Sequence, residues 1–286
     1  MRYELGIPTT CPGGDFRVLV ELAALAERAG WDAIFLEDYI THWYAKDAPT
    51  CDPWVLLSAI AQHTTRVRLG MSVTPLSRRR PWKVAREAVT LDHLSNGRFV
   101  LGVGLGDVRE PGFTQVGEVT DARQRAQMLD EALDILVGLW SGESFSYSGE
   151  HYQVKELTFL PKPMQQPRIP IWVGASLPHK GPVRRATRWD GILPYKYTPD
   201  GSWQDLTPQE VRALKAEIES QRASSAPFEI SLGGRRRGLD WEQDRRLMKK
   251  LAEAGGTAWM EYLEPDMLAD MEACIKYVKQ GPLRID

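Results

Sequence analysis

A (β/α)8 barrel, the TIM-barrel class of α/β folds with insertions in its βα loops, is what this chain of 286 residues predicts. Three observations carry that expectation. Short apolar, β-rich runs alternate with helical patterns eight times, each unit takes about 32 residues, and the length sits just above the roughly 250 residues usual for the fold. An open doubly wound sheet is the structural alternative, but it has five or six parallel strands and places its glycine fingerprint after the first. Here the glycine-rich turn follows the fourth strand.

The first strand is YELGI (3–7); Asp15 then leads into Val18, Leu22, Leu25, Ala26 and Ala29 at helical spacing until Gly30 stops the run. AIFLE (33–37) is the second, and Asp52-Pro53 opens its helix through Leu56, Ala59, Ile60 and His63. VRLGMSV (67–73) is the third, followed by a helix from Pro81 through Val84, Ala88 and Leu91 to Gly97. RFVLGVG (98–104) is the fourth, with a long helix from Asp121 to Gly142; IPIWVG (169–174) is the fifth, with a short one from Pro182 to Asp190. GILPY (191–195) is the sixth, and Thr207-Pro208-Gln209-Glu210 after it reads as a capping box with proline at the first helical position. FEISL (228–232) with Asp244–Gly255, and TAWMEYL (257–263) with Pro265–Gln280, complete the set. The excess residues fall in insertions at 107–120, at 143–168 and after the fifth and sixth strands. A single domain, 1–286, is expected, without linker or internal repeat.

Composition narrows function before any motif does. Hydrophobic residues are 43% and charged residues 26%, which excludes disorder, collagen and coiled coil. Lys plus Arg is 36 against 38 Asp plus Glu, a net charge of -2, so no bulk positive field exists for nucleic acid or an anionic bilayer. A small-molecule partner is expected, with any anion bound locally. Cys11, Cys51 and Cys274 are odd in number and far apart, unlike a disulfide framework or a CxxC site. The start MRYELGIPTTCPGGDF lacks the apolar core of an export signal and no run approaches the ~20 residues of a membrane span, so a cytoplasmic location is expected.

In a barrel, function belongs to the loops after the strand carboxyl ends. His63 and His93 fall late in helices, towards the opposite face, and His151 lies in an insertion, which leaves His42 and His179. No HxH or HExxH spacing and no GxSxG is present, so neither a metal site nor a serine nucleophile is expected. Glycines at 102, 104 and 106 let a backbone approach a bulky ligand or simply line a crowded barrel top, and Asp107 after them is an acid, a base or a loop cap. Three arginine runs, Arg78–Arg80, Arg184-Arg185 with Arg188, and Arg235–Arg237, read as solvated faces; the first and third, which follow strands three and seven, read alternatively as anchors for an anionic tail or an acidic substrate, aided by Lys196.

Taken together, Ala29-Gly30-Trp31-Asp32-Ala33, Gly70-Met71-Ser72-Val73-Thr74-Pro75, Gly97–Asp107, Pro170-Ile171-Trp172-Val173-Gly174 and Ala186-Thr187-Arg188-Trp189-Asp190-Gly191 make the chain resemble the bacterial luciferase-like monooxygenase superfamily. That superfamily includes oxidoreductases using FMN and others using the deazaflavin coenzyme F420. The resemblance implies a cis peptide at Ser72-Val73 under the cofactor ring. It also implies cofactor contacts from Asp38, Gly104, Leu105, Gly106, Gly174, Ala175 and Ser176. In the loop Asp38–Tyr44 it points to Tyr39 or His42 as the source of a hydrogen bond or proton and to Trp43 as a pocket wall. Asp107 matches a family acid position, and Lys196 and Arg235 are candidate substrate contacts. In the F420-dependent sugar-phosphate dehydrogenases of the family an Asp-His pair stands where this chain has Asp38-Tyr39, so sugar-phosphate oxidation is in doubt. The activity implied is hydride transfer to or from a small organic substrate, or oxygen transfer where the cofactor is FMN with O2, by a homodimer. Two alternatives stay open: a flavin binder without turnover, and a non-redox barrel enzyme acting on a phosphorylated metabolite through Lys196.

Overall fold

The computed structural model describes residues 1–11, 13–42 and 47–285. In chain order, β1 (Arg2–Ile7) is followed by α1 (Arg17–Arg28), and β2 (Ala33–Leu36) by α2 (Pro53–His63). β3 (Arg68–Met71) and its continuation β4 (Thr74–Pro75) lead through a 3-10 turn at Leu76–Arg78 to α3 (Pro81–Leu94). β5 (Phe99–Gly104) runs through the one-turn α4 (Pro111–Thr114) to α5 (Ala122–Trp140); a hairpin, β6 (Ser144–Ser148) and β7 (Gln153–Thr158), precedes β8 (Ile171–Ser176) and α6 (Lys180–Ala186). β9 (Gly191–Tyr197) turns back as β10 (Trp203–Gln204) before α7 (Pro208–Gln221). β11 (Glu229–Arg235), α8 (Trp241–Glu253), β12 (Ala258–Tyr262), a second 3-10 turn at Pro265–Ala269 and α9 (Met271–Lys279) finish the chain.

The ring closes. β1 pairs with β2 and β12, β2 with β3, β3 and β4 with β5, β5 with β8, β8 with β9, β9 with β11 and β11 with β12, all in parallel. All eight expected strand runs are therefore barrel strands. Side chains alternate across such a wall. Leu5, Ile7, Ile34, Leu36, Leu69, Leu101, Val103 and Val173 pack outward against the helices, while Ala33, Phe35, Val100, Trp172 and Met260 form a separate buried cluster within. No helix among the described residues is long and apolar enough to cross a membrane.

Several helix starts obey the capping chemistry read from the sequence. The Asp52, Asp121 and Thr207 side chains accept the N–H groups of Val55, Gln124 and Glu210, and Glu210 closes the capping box. Other boundaries need correction. Phe16, not Asp15, holds the cap position of α1. α6 begins two residues before Pro182, which the first turn tolerates because its N–H groups have no helical acceptor, and α8 is capped by Asp240. Pro265 opens a 3-10 turn, and α9 starts only after Asp270, whose carboxylate accepts the Ala273 N–H. The insertion at 143–168 contains the antiparallel β6–β7 hairpin.

At the amino-terminal end of the barrel, Glu4 is wholly buried and accepts the Ser231 hydroxyl, with Arg2, Arg68 and Glu229 nearby. Burial raises its carboxyl from 4.5 to about 7, against the hydrogen bond from Ser231 and the positive charge of Arg2. An unfolded chain releases this proton first, so stability falls as pH climbs from 4.5 through about 7. Glu4→Gln lacks that loss. At roughly 1.4 kcal/mol per unit, its unfolding free energy relative to wild type should rise by about 2.5 kcal/mol between pH 5 and pH 8, read from urea titrations at both values.

Candidate active site

Inside the barrel the rings of Phe35 and Trp172 stack at 5.5 Å and 23°, closing off its middle. Chemistry is thus confined to the mouth at the strand carboxyl ends. There the chain passes from β3 to β4 through Ser72-Val73, whose peptide bond is cis. Val73 is wedged between two strands: a Cβ on Gly104 would lie 2.5 Å from its Cγ2, and one on Gly174 would lie 3.1 Å from its Cγ1. Glycine at both positions is what lets this valine sit there.

Next along the rim, the Leu105 and Gly106 carbonyls both accept from Arg125 Nη1, at 2.7 and 3.0 Å. In a trans peptide the N–H points opposite to the carbonyl, so the Gly106 and Asp107 N–H groups turn away from Arg125. Gly106 holds φ 74, a left-handed backbone conformation that glycine adopts without strain. Across the rim, Ser176 hydrogen-bonds the Tyr195 hydroxyl.

After β2 the chain places four polar residues at the mouth. Asp38 is buried and clamped by Arg79 (Nε 2.8 Å, Nη2 2.7 Å) and Arg78 (Nη2 3.3 Å), so its carboxylate faces arginines rather than open space. Glu110 accepts from Arg78 Nη1 at 2.5 Å and from the Ile40 N–H at 2.6 Å, tying the β2 loop to the β5 loop. Tyr39 and His42 lie 4.9 Å apart, ring to ring, and both face Glu37. The Tyr39 hydroxyl donates to Glu37 Oε1 at 3.5 Å, the Tyr262 hydroxyl donates to Oε2, and His42 Nε2 stands 3.8 Å from Oε2. Burial lowers the His42 imidazole to about 4, so it faces Glu37 uncharged at neutral pH. Burial also pushes the Tyr39 phenol up, reinforced by the charges of Glu37 and Asp107.

Asp107 is held by Arg109, whose backbone N–H donates to Oδ1 at 2.9 Å and whose Nη2 lies 2.5 Å from Oδ2. Although burial opposes it, these hydrogen bonds keep the carboxyl below its ordinary value, so it is ionised at neutral pH and cannot donate a proton there. Tyr195, Tyr197 and Trp203 wall another side, with Tyr195 stacked on Trp203 at 6.2 Å. Trp43 lies outside the described residues.

The arginine runs are neither solvated faces nor open anion anchors at most positions. Lys196 Nζ lies 2.8 Å from both Glu210 oxygens, and Arg235 pairs with Asp205 at 2.8 Å and Asp244 at 2.9 Å. Arg185 and Arg188 pair with Asp130 and Asp134, and the buried Arg237 pairs with Glu261 at 2.7 Å. Arg80, Arg184 and Arg236 are exposed, as is Arg188 beside its Asp134 partner. Composition supplies the reason: acids slightly outnumber bases, and the fold brings most arginines of these runs to one. Sequence reasoning missed Glu37, Tyr262 and the Tyr195–Trp203 wall. The AIFLE run did carry a signal for Glu37, since inward residues alternate and Glu37 follows Phe35 by two.

A closed parallel barrel with a polar, aromatic mouth defines an α/β-barrel protein, a class whose active sites lie at the strand carboxyl ends. The chain belongs to the luciferase-like monooxygenase family, whose model matches residues 4–234. It is 39% identical over 197 residues to an F420-dependent glucose-6-phosphate dehydrogenase of Microbacterium testaceum, covering 68% of this chain and 55% of that one. The chain spans about half the length of the curated relatives it matches. In fold it resembles an F420-dependent secondary alcohol dehydrogenase (TM-score 0.73, 17% identity, 97% of this chain and 99% of that one). It also resembles the oxygenating constituent of 3,6-diketocamphane monooxygenase from Pseudomonas putida (TM-score 0.72, 14% identity, 98% and 97%).

Proposed function

We propose that this protein is an oxidoreductase that binds coenzyme F420 at the barrel mouth and moves a hydride between it and a small alcohol or carbonyl compound. The reading rests on one observation above others: Val73 is seated between Gly104 and Gly174 at the mouth, and in this reading it is the shelf on which a flat ring lies. The curated relatives, named as F420-dependent dehydrogenases, support the deazaflavin over FMN. The residues fit such a group. Ser72 and Val73 would underlie the ring; the Leu105-Gly106-Asp107 turn, with Gly174, Ala175 and Ser176 opposite, would receive the phosphate through main-chain N–H groups. When bound, the deazaflavin supplies the hydride-accepting or hydride-donating carbon. The protein's own residues orient the substrate and handle its proton. Tyr39 and His42 offer neutral hydrogen-bonding groups, the Tyr195–Trp203 wall excludes water, and Asp107 serves as a fixed negative charge clamped by Arg109. Lys196 and Arg235 reach substrate in this reading only if their carboxylate partners yield, so a phosphorylated sugar is disfavoured against an uncharged alcohol. A homodimer in the cytoplasm belongs to the same reading.

Equilibrium titration with F420 and FMN, each oxidised and reduced, tests it. F420 should bind at least about tenfold tighter, a difference of about 1.4 kcal/mol. Tighter FMN binding with O2-dependent turnover would replace the dehydrogenase reading with a monooxygenase one, and binding of neither would end it.

A further inference from the structure

The mouth holds several carboxyl groups, and most are already committed. Asp38 and Glu110 are clamped by Arg78 and Arg79, Asp107 by Arg109, Glu210 by Lys196, and Asp205 and Asp244 by Arg235. Glu37 is different. It ends the β2 wall on the inward side, two residues past the ring of Phe35, with 19% of its side chain exposed. Among the described residues, the groups holding its oxygens are neutral: the Tyr39 phenol, the Tyr262 phenol and, at 3.8 Å, the uncharged His42 ring. A carboxylate paired with arginine has no use for a proton. One held by phenols in a half-dry site can take one up and give it back.

We propose that Glu37 is a catalytic residue, the base that receives the substrate's hydroxyl proton during oxidation and returns it during reduction. The assignment rests on the redox reading above. In oxidation the substrate C–H bond breaks with its electron pair, which passes as hydride to the oxidised deazaflavin. The substrate O–H bond breaks, its proton goes to a Glu37 oxygen, and the C–O bond becomes C=O. The alcohol is oxidised and the deazaflavin is reduced, so atoms and electrons balance. Environment tunes the base to this task. Burial and the negative charges of Glu264 and Glu110 raise Glu37 from 4.5 to about 7, against the hydrogen bonds from Tyr262 and Tyr39. A proton carrier works best when its pKa lies near the operating pH.

Glu37→Gln keeps the acceptor for Tyr262 but cannot take a proton, and Tyr262→Phe removes a donor that favours the ionised form. With F420 and a neutral alcohol, Glu37→Gln should lose about 10²- to 10⁴-fold in kcat. Its KM and F420 affinity should stay within about threefold, which separates proton transfer from binding. In wild type, kcat for oxidation should rise with pH through about 7. Glu37→Gln should lose that limb, and Tyr262→Phe should move it to higher pH. Infrared titration of the cofactor-free protein, in a Glu4→Gln background because Glu4 also titrates near 7, gives a readout apart from turnover: a protonated-carboxyl band that fades near pH 7 and is absent once Glu37→Gln is added. Glu37→Gln turnover within about threefold of wild type, or a lost kcat with the limb unmoved, would overturn the assignment. So would an infrared band that titrates in the ordinary carboxyl range. Failure of F420 to bind wild type would overturn the redox reading and this assignment together, whereas a bound, hydride-accepting F420 with the limb intact in Glu37→Gln overturns the assignment alone.

Discussion

Arg78→Met should lower the unfolding free energy by about 3–5 kcal/mol and loosen the β2 loop that carries Tyr39 and His42. The side chains of Arg78, Asp38 and Glu110 are 3%, 2% and 1% exposed, so this is an ion cluster almost without water. Its guanidinium meets Glu110 at 2.5 Å and Asp38 Oδ1 at 3.3 Å, donates to the Asp38 carbonyl, and lies 5.1 Å from the Phe113 ring centre. Methionine fills similar volume but leaves Glu110 buried with, among the described residues, the Ile40 N–H as its remaining donor. The cost comes from that stranded charge more than from any worth of the pair itself. Arg78→Met with Glu110→Gln should therefore recover a large part of the loss, because the glutamine still accepts the Ile40 N–H and carries no charge. Arg78→Lys should fall between, since an ammonium cannot span two carboxylates as a planar fork does. Chemical denaturation at pH 7 measures all three. An Arg78→Met loss under about 1 kcal/mol would show that water reaches the cluster and that the loop is held by other contacts.

How this cluster was hidden in the sequence, while the barrel was not, follows from the range of the forces involved. Strands such as YELGI and RFVLGVG announce themselves because their burial is local in sequence, and Asp52, Asp121 and Thr207 cap helices within three residues of themselves. Arg78 meets Glu110 across 32 residues and Arg79 meets Asp38 across 41, so the triplet Arg78–Arg80 looks the same on paper whether it faces solvent, a phosphate or an acid. Glu37 depends on Tyr262, 225 residues away, for a phenol that no local pattern could supply. The β6–β7 hairpin is a different kind of miss. Ser144, Phe145, Ser146, Tyr147 and Ser148 alternate polar and aromatic, and the structure alternates their exposure in the same rhythm. That signal was local and legible. At the site itself, the family resemblance points to Tyr39 and His42, and the fold brings them together around a carboxyl to which it does not point.

Gly104→Ala is expected to weaken F420 binding at least about tenfold while leaving the barrel folded. A methyl there would sit 2.5 Å from Val73 Cγ2, closer than carbon atoms tolerate. Valine cannot simply rotate away, because two heavy atoms on its Cβ restrict χ1, and its other methyl already faces Gly174. The shelf itself must move. Gly102→Ala is the informative contrast: its methyl would lie 1.8 Å from the Met71 carbonyl oxygen, a main-chain atom inside the sheet. That collision cannot be relieved by a side chain, so Gly102→Ala should cost the roughly 1–3 kcal/mol or more of an overpacked core and lower Tm accordingly. The two glycines are two residues apart on one strand, yet one change should read out in stability and the other in ligand affinity. Val73→Ala supplies the decisive combination, since removing both Cγ atoms makes room for the new methyl. Gly104→Ala with Val73→Ala should therefore bind F420 more tightly than Gly104→Ala alone. If isothermal titration found Gly104→Ala equal to wild type, the ring would have to rest elsewhere than on Val73.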